Sequence, residues 1–309
     1  MNCLAQKIAL ILIVLAPASN AIILLGANNS ANQTNPGGGL PFDSVARLSN
    51  AAGTTIGGTG VHLGDGYILT ANHVGPFSSV TFDGSTFFAH DGVAPVQVGA
   101  TDMKIFRLTT VPTVGAAQIY TGNLELANSA TIVSWGRGRA DTIESSVNPN
   151  IVPWSLNNTT VAKRWGTNQP KSEITNFSYT FGQTYTFNAL QTVAGANTGV
   201  PATAGTGVNE AAAQVLDSGS GLFQNIGGTW FLTGITSVIT IQNPSSATYG
   251  NDTPGTYNGS GFLVAPGTGD LNIFVKVSSY TTQIAAIVPE PGTALLSLLS
   301  IPFALRRRR

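Results

Sequence analysis

Asp217-Ser218-Gly219-Ser220-Gly221-Leu222 places a small hydroxyl in a turn of tiny residues, directly after a carboxylate. Two segments upstream complete a set, Leu69-Thr70-Ala71-Asn72-His73 and Thr101-Asp102-Met103-Lys104-Ile105-Phe106. An imidazole, a carboxylate and a hydroxyl thus follow one another along the chain. Acyl transfer needs these three groups, because the alcohol attacks, the imidazole takes its proton and the carboxylate orients the imidazole. The set predicts a hydrolase with a covalent serine intermediate.

Short apolar alternations separated by Gly and Pro turns dominate the middle of the chain. Val61-His62-Leu63 and Tyr67-Ile68-Leu69 flank the turn Gly64-Asp65-Gly66, which predicts a hairpin leading to His73. Aromatic and polar residues alternate over 177–187, on both sides of Gly182. This pattern predicts an all-β barrel or sandwich.

Helical periodicity is scarce and is confined to the segment 279–288. Its apolar residues include Ile284 and Ile287, and Ser278 and Ser279 are candidate N-terminal caps. We therefore expect one short helix near the C-terminal end of the folded part.

The first 21 residues have the layout of a secretory signal peptide. Lys7 precedes an apolar run at 8–16, and small residues follow as far as Ala21. A basic start, a short hydrophobic core and a small-residue exit are typical of export signals. A buried first helix is the alternative, but Pro17 disfavours it.

The other end carries a second signal. Val288-Pro289-Glu290-Pro291-Gly292-Thr293 precedes mostly apolar residues at 294–305 and four arginines at 306–309. The apolar run is shorter than the ~20 residues of a membrane span, and the arginines would hold that end on the cytoplasmic side. This order resembles the PEP-CTERM sorting signal of Gram-negative, exopolysaccharide-producing bacteria. The alternative is a hydrophobic tail that docks on a partner.

The PEP-CTERM resemblance implies a route to the cell surface. It implies transient tethering in the inner membrane, cleavage near Pro289 and Glu290 by an exosortase-type processing enzyme, and release to the surface or extracellular matrix. An exopolysaccharide matrix is then a further expected partner.

Residue counts narrow the chemistry of the segment 22–288. The one cysteine of the sequence, Cys3, lies in the predicted signal peptide, so export would add no disulfide to this segment, and a core of this length needs none. Cysteine metal sites are excluded, and only His62, His73 and His90 remain as imidazole ligands. No metal or other cofactor is expected.

Charge argues against nucleic acid as a partner. The sequence has 14 basic residues, and five of them, Lys7 and the arginines at 306–309, lie outside the segment 22–288. Of the 14 acidic residues, only Glu290 lies outside it. The segment therefore has 9 basic and 13 acidic residues, a formal net charge of −4. Nucleic-acid binding needs a basic surface, which a mildly acidic segment does not supply.

Six motifs in family order resemble the trypsin-like (chymotrypsin-fold) serine proteases. Residues 69–74 resemble Leu-Thr-Ala-Ala-His-Cys, with Asn72 replacing alanine and Val74 replacing the disulfide cysteine, and residues 217–222 resemble Asp-Ser-Gly-Gly-Pro-Leu. The other four motifs lie at 58–61, before the histidine; at 102–108, similar to Asp-Ile-Ala-Leu-Leu-Lys-Leu; at 134–136, similar to Gly-Trp-Gly; and at 273–284, similar to a Val-Tyr-Thr-Arg-Val-Ser-Ser-Tyr segment.

The resemblance implies a fold and a domain division. The fold would be two antiparallel six-stranded β-barrels of the chymotrypsin type with a short C-terminal helix. Residues 22–130 would hold the N-terminal region and first barrel, and residues 131–287 the second barrel and the helix.

The resemblance also implies a role for each matched residue. His73 would be general base and then general acid, Asp102 would hold its tautomer, and Ser218 would be the nucleophile. Ser237 would bond the buried carboxylate. The backbone N–H groups of Leu216 and Ser218 would form the oxyanion hole.

Leu216 departs from the family pattern, which has glycine there. If the position needs a positive φ, leucine costs about 1–2 kcal/mol. A peptide that turned away would instead lose a donor worth about 2.7–4 kcal/mol of transition-state stabilisation. Strain is the smaller term, so a strained leucine is compatible with activity.

Two further roles follow from family positions. The counterpart of Asp217 often pairs with a newly freed amine, and here signal removal would free one at Ile22. Counting back from Ser218 puts Ala212 at the base of the specificity pocket, where basic-specific members carry aspartate. An uncharged base predicts a small or medium apolar residue before the scissile bond.

Each site residue has a simpler alternative. His73 could be an ordinary strand-end histidine, Asp102 a turn carboxylate and Ser218 part of a Gly/Ser turn, and Ser220 competes as nucleophile. The leading prediction is a secreted, surface-sorted serine endopeptidase acting on proteins or peptides. The rivals are a catalytically inactive homologue serving as a matrix-binding or structural surface protein, and a β-rich adhesin without this fold.

Overall fold

The computed structural model describes residues 22–24, 32–50, 53, 56–143, 154–194, 209–213, 216–239 and 270–289. The predicted signal peptide and residues 290–309 of the predicted sorting signal lie outside these ranges, so both signals stay predictions. Of the helices in the described ranges, none has the length and apolar character needed to cross a membrane.

Extended structure accounts for most of the described chain, as the alternating patterns predict. The strands are, in chain order, β1 (Ile23–Leu24), β2 (Val45–Ser49), β3 (Ile56–Gly64), β4 (Tyr67–Thr70), β5 (Ser79–Thr81), β6 (Phe87–Ala89), β7 (Val96–Gln97), β8 (Lys104–Arg107), β9 (Ala130–Ile143), β10 (Trp154–Asn168), β11 (Pro170–Phe181), β12 (Gln183–Ala194), β13 (Ala211–Ala212), β14 (Gly221–Ile226), β15 (Thr229–Ile239) and β16 (Asp270–Lys276). Short 3₁₀ turns lie at Phe42–Ser44, Glu125–Ala127 and Val277–Tyr280, and the α-helix α1 spans Thr281–Ile287.

The strands form two main antiparallel sheets. One has the order β6-β5-β2-β3-β4-β8-β7 and the other the order β10-β9-β14-β15-β16-β12-β11. β1 pairs separately with β13, so the first described strand joins a segment of the second half. Two antiparallel sheets and a short C-terminal helix confirm the predicted all-β fold class.

Each sheet has seven strands where six were predicted. In the first sheet the edge strand β7 pairs with β8 through only Val96 and Gln97. In the second sheet a turn at Gly182 folds β11 back along β12 and makes β11 an additional edge strand. The extra strand of the second sheet carries residues that reach the candidate site.

The predicted hairpin before His73 is confirmed. Asp65 and Gly66 have φ values of 49° and 81°, and two residues with positive φ are typical of the tight turns that match the twist of a hairpin. Val61 pairs with Leu69 across β3 and β4. The hairpin delivers the chain to Ala71, just before the histidine.

A shared apolar core lies between the two sheets. Val61 and Leu69 of the first sheet and Val133 and Phe223 of the second belong to one buried cluster. Burial of this apolar surface at ~25 cal/mol per Å² holds the sheets together. Segments that leave both sheets beside this core can therefore meet, and the candidate site is built from them.

The terminal helix is shorter than predicted and its predicted caps are wrong. The residue that caps α1 is Tyr280, without a side-chain cap bond. Ser278 Oγ instead donates to Glu125 Oε1 at 2.5 Å, and Ser279 Oγ accepts from Asn188 Nδ2 at 3.4 Å. Both serines lie inside the 3₁₀ turn that runs directly into α1, so their hydroxyls bond neighbouring elements.

Candidate active site

His73, Asp102 and Ser218 meet between the two sheets. His73 Nδ1 lies 2.7 Å from Asp102 Oδ2, and His73 Nε2 lies 2.8 Å from Ser218 Oγ. Asp102 is fully buried, whereas the His73 side chain is 15% exposed. The three groups form a continuous hydrogen-bonded chain that solvent can reach only at the imidazole and the serine.

The tautomer of His73 follows from its partners. An ionised carboxylate only accepts hydrogen bonds, so Nδ1 must carry a proton and donate to Asp102. In the neutral ring Nε2 then has a free lone pair. It faces Ser218 Oγ and can accept the serine proton.

Backbone bonds fix the segment that carries His73. The His73 N–H donates to Asp102 Oδ1 at 2.9 Å, and the Asn72 N–H donates to the Asp102 carbonyl at 3.2 Å. Lys104, two residues beyond the aspartate, donates through Nζ to the carbonyls of Asn72 at 3.1 Å and Val74 at 2.6 Å. The beginning of β8 thus holds the chain on both sides of the histidine.

Lys104 performs this role from a buried position. Burial lowers the pKa of its ammonium, and the nearby Asp102 charge acts in the opposite direction. Val74, which replaces the disulfide cysteine of the resembled family, is itself buried. A buried ammonium therefore holds a segment that has no disulfide here.

The turn that carries Ser218 requires glycine at position 219. Gly219 has a φ of 86°, and a Cβ there would lie 2.0 Å from the Thr59 carbonyl oxygen. The Ser218 carbonyl accepts from the Thr59 N–H at 2.8 Å, and the Gly219 N–H donates to the Thr236 carbonyl at 2.9 Å. β3 and β15 together hold the turn from two sides.

The two candidate nucleophiles differ in their surroundings. Ser220 is fully buried, and its Oγ lies 2.5 Å from Thr236 Oγ1. Ser218 is half-buried and faces His73. The geometry favours Ser218 over Ser220, because only Ser218 combines a base with access from solvent.

The Asp102 carboxylate accepts two further side-chain hydrogen bonds. Ser237 Oγ donates to Asp102 Oδ2 at 2.5 Å, which is the contact that the sequence resemblance implies. Tyr179 donates to the same oxygen at 2.6 Å, from the edge strand β11. Sequence reasoning assigned Tyr179 to a strand and missed this contact, because alternation predicts a face of a sheet but not the group that it meets.

Phe181 is a second residue of β11 that reaches the site. Its ring lies 5.7 Å from the His73 ring in an edge-on arrangement, and 61% of the residue is exposed. A large exposed aromatic ring beside a half-buried imidazole limits the access of water to one side of His73.

Leu216 adopts the conformation on which its predicted strain depends. Its φ is 80°, in the left-handed region. A leucine there costs about 1–2 kcal/mol. Among the described residues, no protein group accepts a hydrogen bond from the N–H of Leu216 or of Ser218. The role of both N–H groups as oxyanion donors stays a prediction.

Asp217 and Ala212 are the remaining residues with predicted roles. Asp217 is fully buried and accepts from Ser134 Oγ at 2.5 Å. Ile22, the predicted partner, is buried directly before β1, and the pairing of its amine with Asp217 stays a prediction. Ala212 lies in β13 opposite Ile23, and its predicted place at the base of the specificity pocket also stays a prediction.

In the portion of the chain described above, no cluster of His, Cys, Asp or Glu side chains is suited to hold a metal ion.

Comparisons with known proteins give a distant likeness. No family model matches the chain, and no curated protein matches it. A solved structure of neuropsin, a serine protease expressed in the limbic system of mouse brain, matches with 17% identity and a TM-score of 0.48, over 83% of this chain and 97% of neuropsin. A likeness at this level does not show what this protein does.

Proposed function

We propose that this protein is a serine endopeptidase that hydrolyses peptide bonds through an acyl-enzyme on Ser218. The observation that carries the proposal is the continuous hydrogen-bonded chain from Asp102 through His73 to Ser218, with contacts of 2.7 and 2.8 Å. Unrelated folds use this arrangement for acyl transfer, so its geometry is informative independently of sequence likeness.

The first half-reaction forms the acyl-enzyme. Ser218 Oγ attacks the peptide carbonyl carbon while its proton moves to His73 Nε2. The carbonyl oxygen becomes an oxyanion, which the N–H groups of Leu216 and Ser218 would stabilise. When the C–N bond breaks, the imidazolium gives its proton to the leaving amine.

The second half-reaction releases the acyl group. A water molecule gives a proton to His73 Nε2 and attacks the ester carbon, and the Ser218 oxygen leaves with that proton. Asp102 stays ionised throughout and compensates the positive charge of the imidazolium. Substrate acid and free enzyme result, and the cycle consumes one water.

The exported location is part of the same proposal. It is supported by the signal-peptide pattern and by the PEP-CTERM resemblance of residues 288–309. The expected course is export, transient inner-membrane tethering, processing by an exosortase-type enzyme and release at the cell surface or into an exopolysaccharide matrix. Truncation of residues 290–309 should abolish retention at the surface, which fractionation of producing cells would measure.

A catalytically silent homologue that serves as a matrix-binding or structural surface protein is the second candidate. One observation favours it: Leu216 has a φ of 80° at a position where the resembled family has glycine. Strain can be relieved by a peptide flip that turns an N–H away from the oxyanion. Such a protein would keep the fold and lose the acyl transfer.

A fluorophosphonate separates these candidates. The purified protein is exposed to the reagent, and the adduct is located by peptide mass spectrometry. We expect one adduct, on Ser218, that disappears in His73→Ala and persists in Ser220→Ala. A folded wild-type protein that acquires no adduct would favour the silent homologue.

A further inference from the structure

We propose that Tyr179 is a positioning residue of this site: its hydroxyl orients the Asp102 carboxylate and takes up part of the negative charge that faces His73. This role rests on the proposed serine-protease function. It assigns a function to the edge strand β11, which the roles implied by sequence leave without one.

The buried carboxylate receives hydrogen bonds on both oxygens. Asp102 Oδ1 accepts from the His73 N–H at 2.9 Å. Asp102 Oδ2 faces the imidazole Nδ1 at 2.7 Å, Ser237 Oγ at 2.5 Å and the Tyr179 hydroxyl at 2.6 Å. Because a fully buried charge without donors is very unfavourable, each of these bonds stabilises the anion that the imidazole needs.

The Tyr179 hydroxyl acts on the oxygen that the imidazole uses. It lies 3.3 Å from His73 Nδ1 as well as 2.6 Å from Asp102 Oδ2. A hydrogen bond from the phenol partly neutralises the negative charge on Oδ2, so less of that charge acts on the imidazolium. The phenol therefore fixes the carboxylate and at the same time limits how strongly that carboxylate stabilises protonated His73.

Tyr179 keeps its proton under all ordinary conditions. Burial, followed by the charge of Asp102, raises its pKa. A deprotonated phenol beside the carboxylate would be repelled. The hydroxyl is thus a permanent donor.

The surrounding hairpin holds the ring in place. Tyr179 packs against Tyr185 at 5.2 Å and Phe187 at 6.2 Å between ring centres. The Thr186 N–H of β12 donates to the Ala100 carbonyl at 3.2 Å, just upstream of Asp102. The β11–β12 hairpin of the second sheet is therefore fastened to the segment of the first sheet that carries the carboxylate.

Tyr179→Phe removes this donor and keeps the ring. The matched control is Tyr185→Phe, since Tyr185 is the cross-strand partner of Tyr179 and its hydroxyl contacts Asn72 Nδ2 at 3.5 Å. We expect kcat/KM to fall about tenfold in Tyr179→Phe, the order of one lost hydrogen bond to a charged group, and to stay near wild type in Tyr185→Phe.

The pH profile separates positioning from a merely structural effect. Without the phenol, the Asp102 carboxylate stabilises the imidazolium more strongly. The acid limb of kcat/KM should move to higher pH by about half a unit to one unit in Tyr179→Phe. An unmoved limb, or an equal shift in Tyr185→Phe, overturns the role.

A second readout does not depend on activity. The titration of the His73 ring, followed by NMR, should show the same upward shift in Tyr179→Phe even if the wild type does not react with a fluorophosphonate. No adduct together with a shifted titration would reject the proposed protease function and retain the contact. A fluorophosphonate adduct on the wild type with an unshifted titration would reject the Tyr179 role alone.

Discussion

The two corners of the candidate site are held in different ways. The acid–base corner, at His73 and Asp102, is fixed by side chains and backbone groups from both sheets. The oxyanion corner, at Leu216 and Ser218, depends on the backbone conformation of a turn with φ values of 80° at Leu216 and 86° at Gly219. Several groups donate to Asp102, so loss of one donor should lower the activity only in part. The oxyanion corner should tolerate little change, because its geometry depends on the backbone of one turn.

Asp102→Asn should give the largest effect, at the acid–base corner. An amide at this position presents its NH₂ to Nδ1 and favours the tautomer whose Nε2 carries the proton and cannot accept from Ser218. We expect kcat to fall by about 10⁴-fold with little change in KM. Steady-state kinetics on a peptide substrate measures this, and a loss below tenfold would mean that Asp102 has no catalytic role.

Gly219→Ala should be the most damaging change at the oxyanion corner. The new Cβ would lie 2.0 Å from the Thr59 carbonyl oxygen and 2.3 Å from Thr70 Oγ1. We expect the free energy of unfolding to fall by about 3 kcal/mol, as measured by urea denaturation. Gly182→Ala is the control for a positive φ without a collision, since no atom lies within 4 Å of a Cβ there.

Lys104→Met tests how the acid–base corner depends on its buried ammonium. The variant keeps the length of the side chain and leaves the carbonyls of Asn72 and Val74 without this donor. We expect a loss of about 2 kcal/mol in the free energy of unfolding and a lower kcat, because His73 lies between the two carbonyls. Lys171→Met, on β11, should stay within about 0.5 kcal/mol of wild type.

Leu216→Gly should give the smallest effect, and it tests whether the backbone at the oxyanion corner is strained. Glycine removes the strain of the left-handed conformation, whereas Leu216→Ala keeps it. After allowance for the greater freedom of glycine in the unfolded chain, Leu216→Gly should be about 1 kcal/mol more stable than Leu216→Ala. Equal stabilities in thermal or urea unfolding would show that the position is not strained.

Local sequence patterns predicted much of the fold for identifiable reasons. The turn Gly64-Asp65-Gly66 carries residues suited to positive φ, and the alternation on both sides of Gly182 produced β11 and β12. The ordered motifs also brought His73, Asp102, Ser218 and Ser237 into one set, and in the structure successive hydrogen bonds join Ser237 to Asp102, Asp102 to His73 and His73 to Ser218.

Contacts between distant segments could not be predicted in this way. Tyr179 is separated by 77 positions from the carboxylate that it bonds, and its local pattern is that of any half-buried strand. Lys104 has the local pattern of an ordinary strand residue. Its contacts with the segment around His73 exist only in the tertiary structure, so the local pattern does not reveal them. The caps Ser278 and Ser279 were wrong because a 3₁₀ turn already includes them, which local composition does not reveal.

A pre-steady-state burst with an activated ester would test the acylation of Ser218 itself. If Ser218 acylates through His73, the purified wild-type protein should release one equivalent of leaving group rapidly and hold one acyl group on Ser218, and His73→Ala should show no burst. A folded wild-type protein without a burst and without an acyl group would contradict the account.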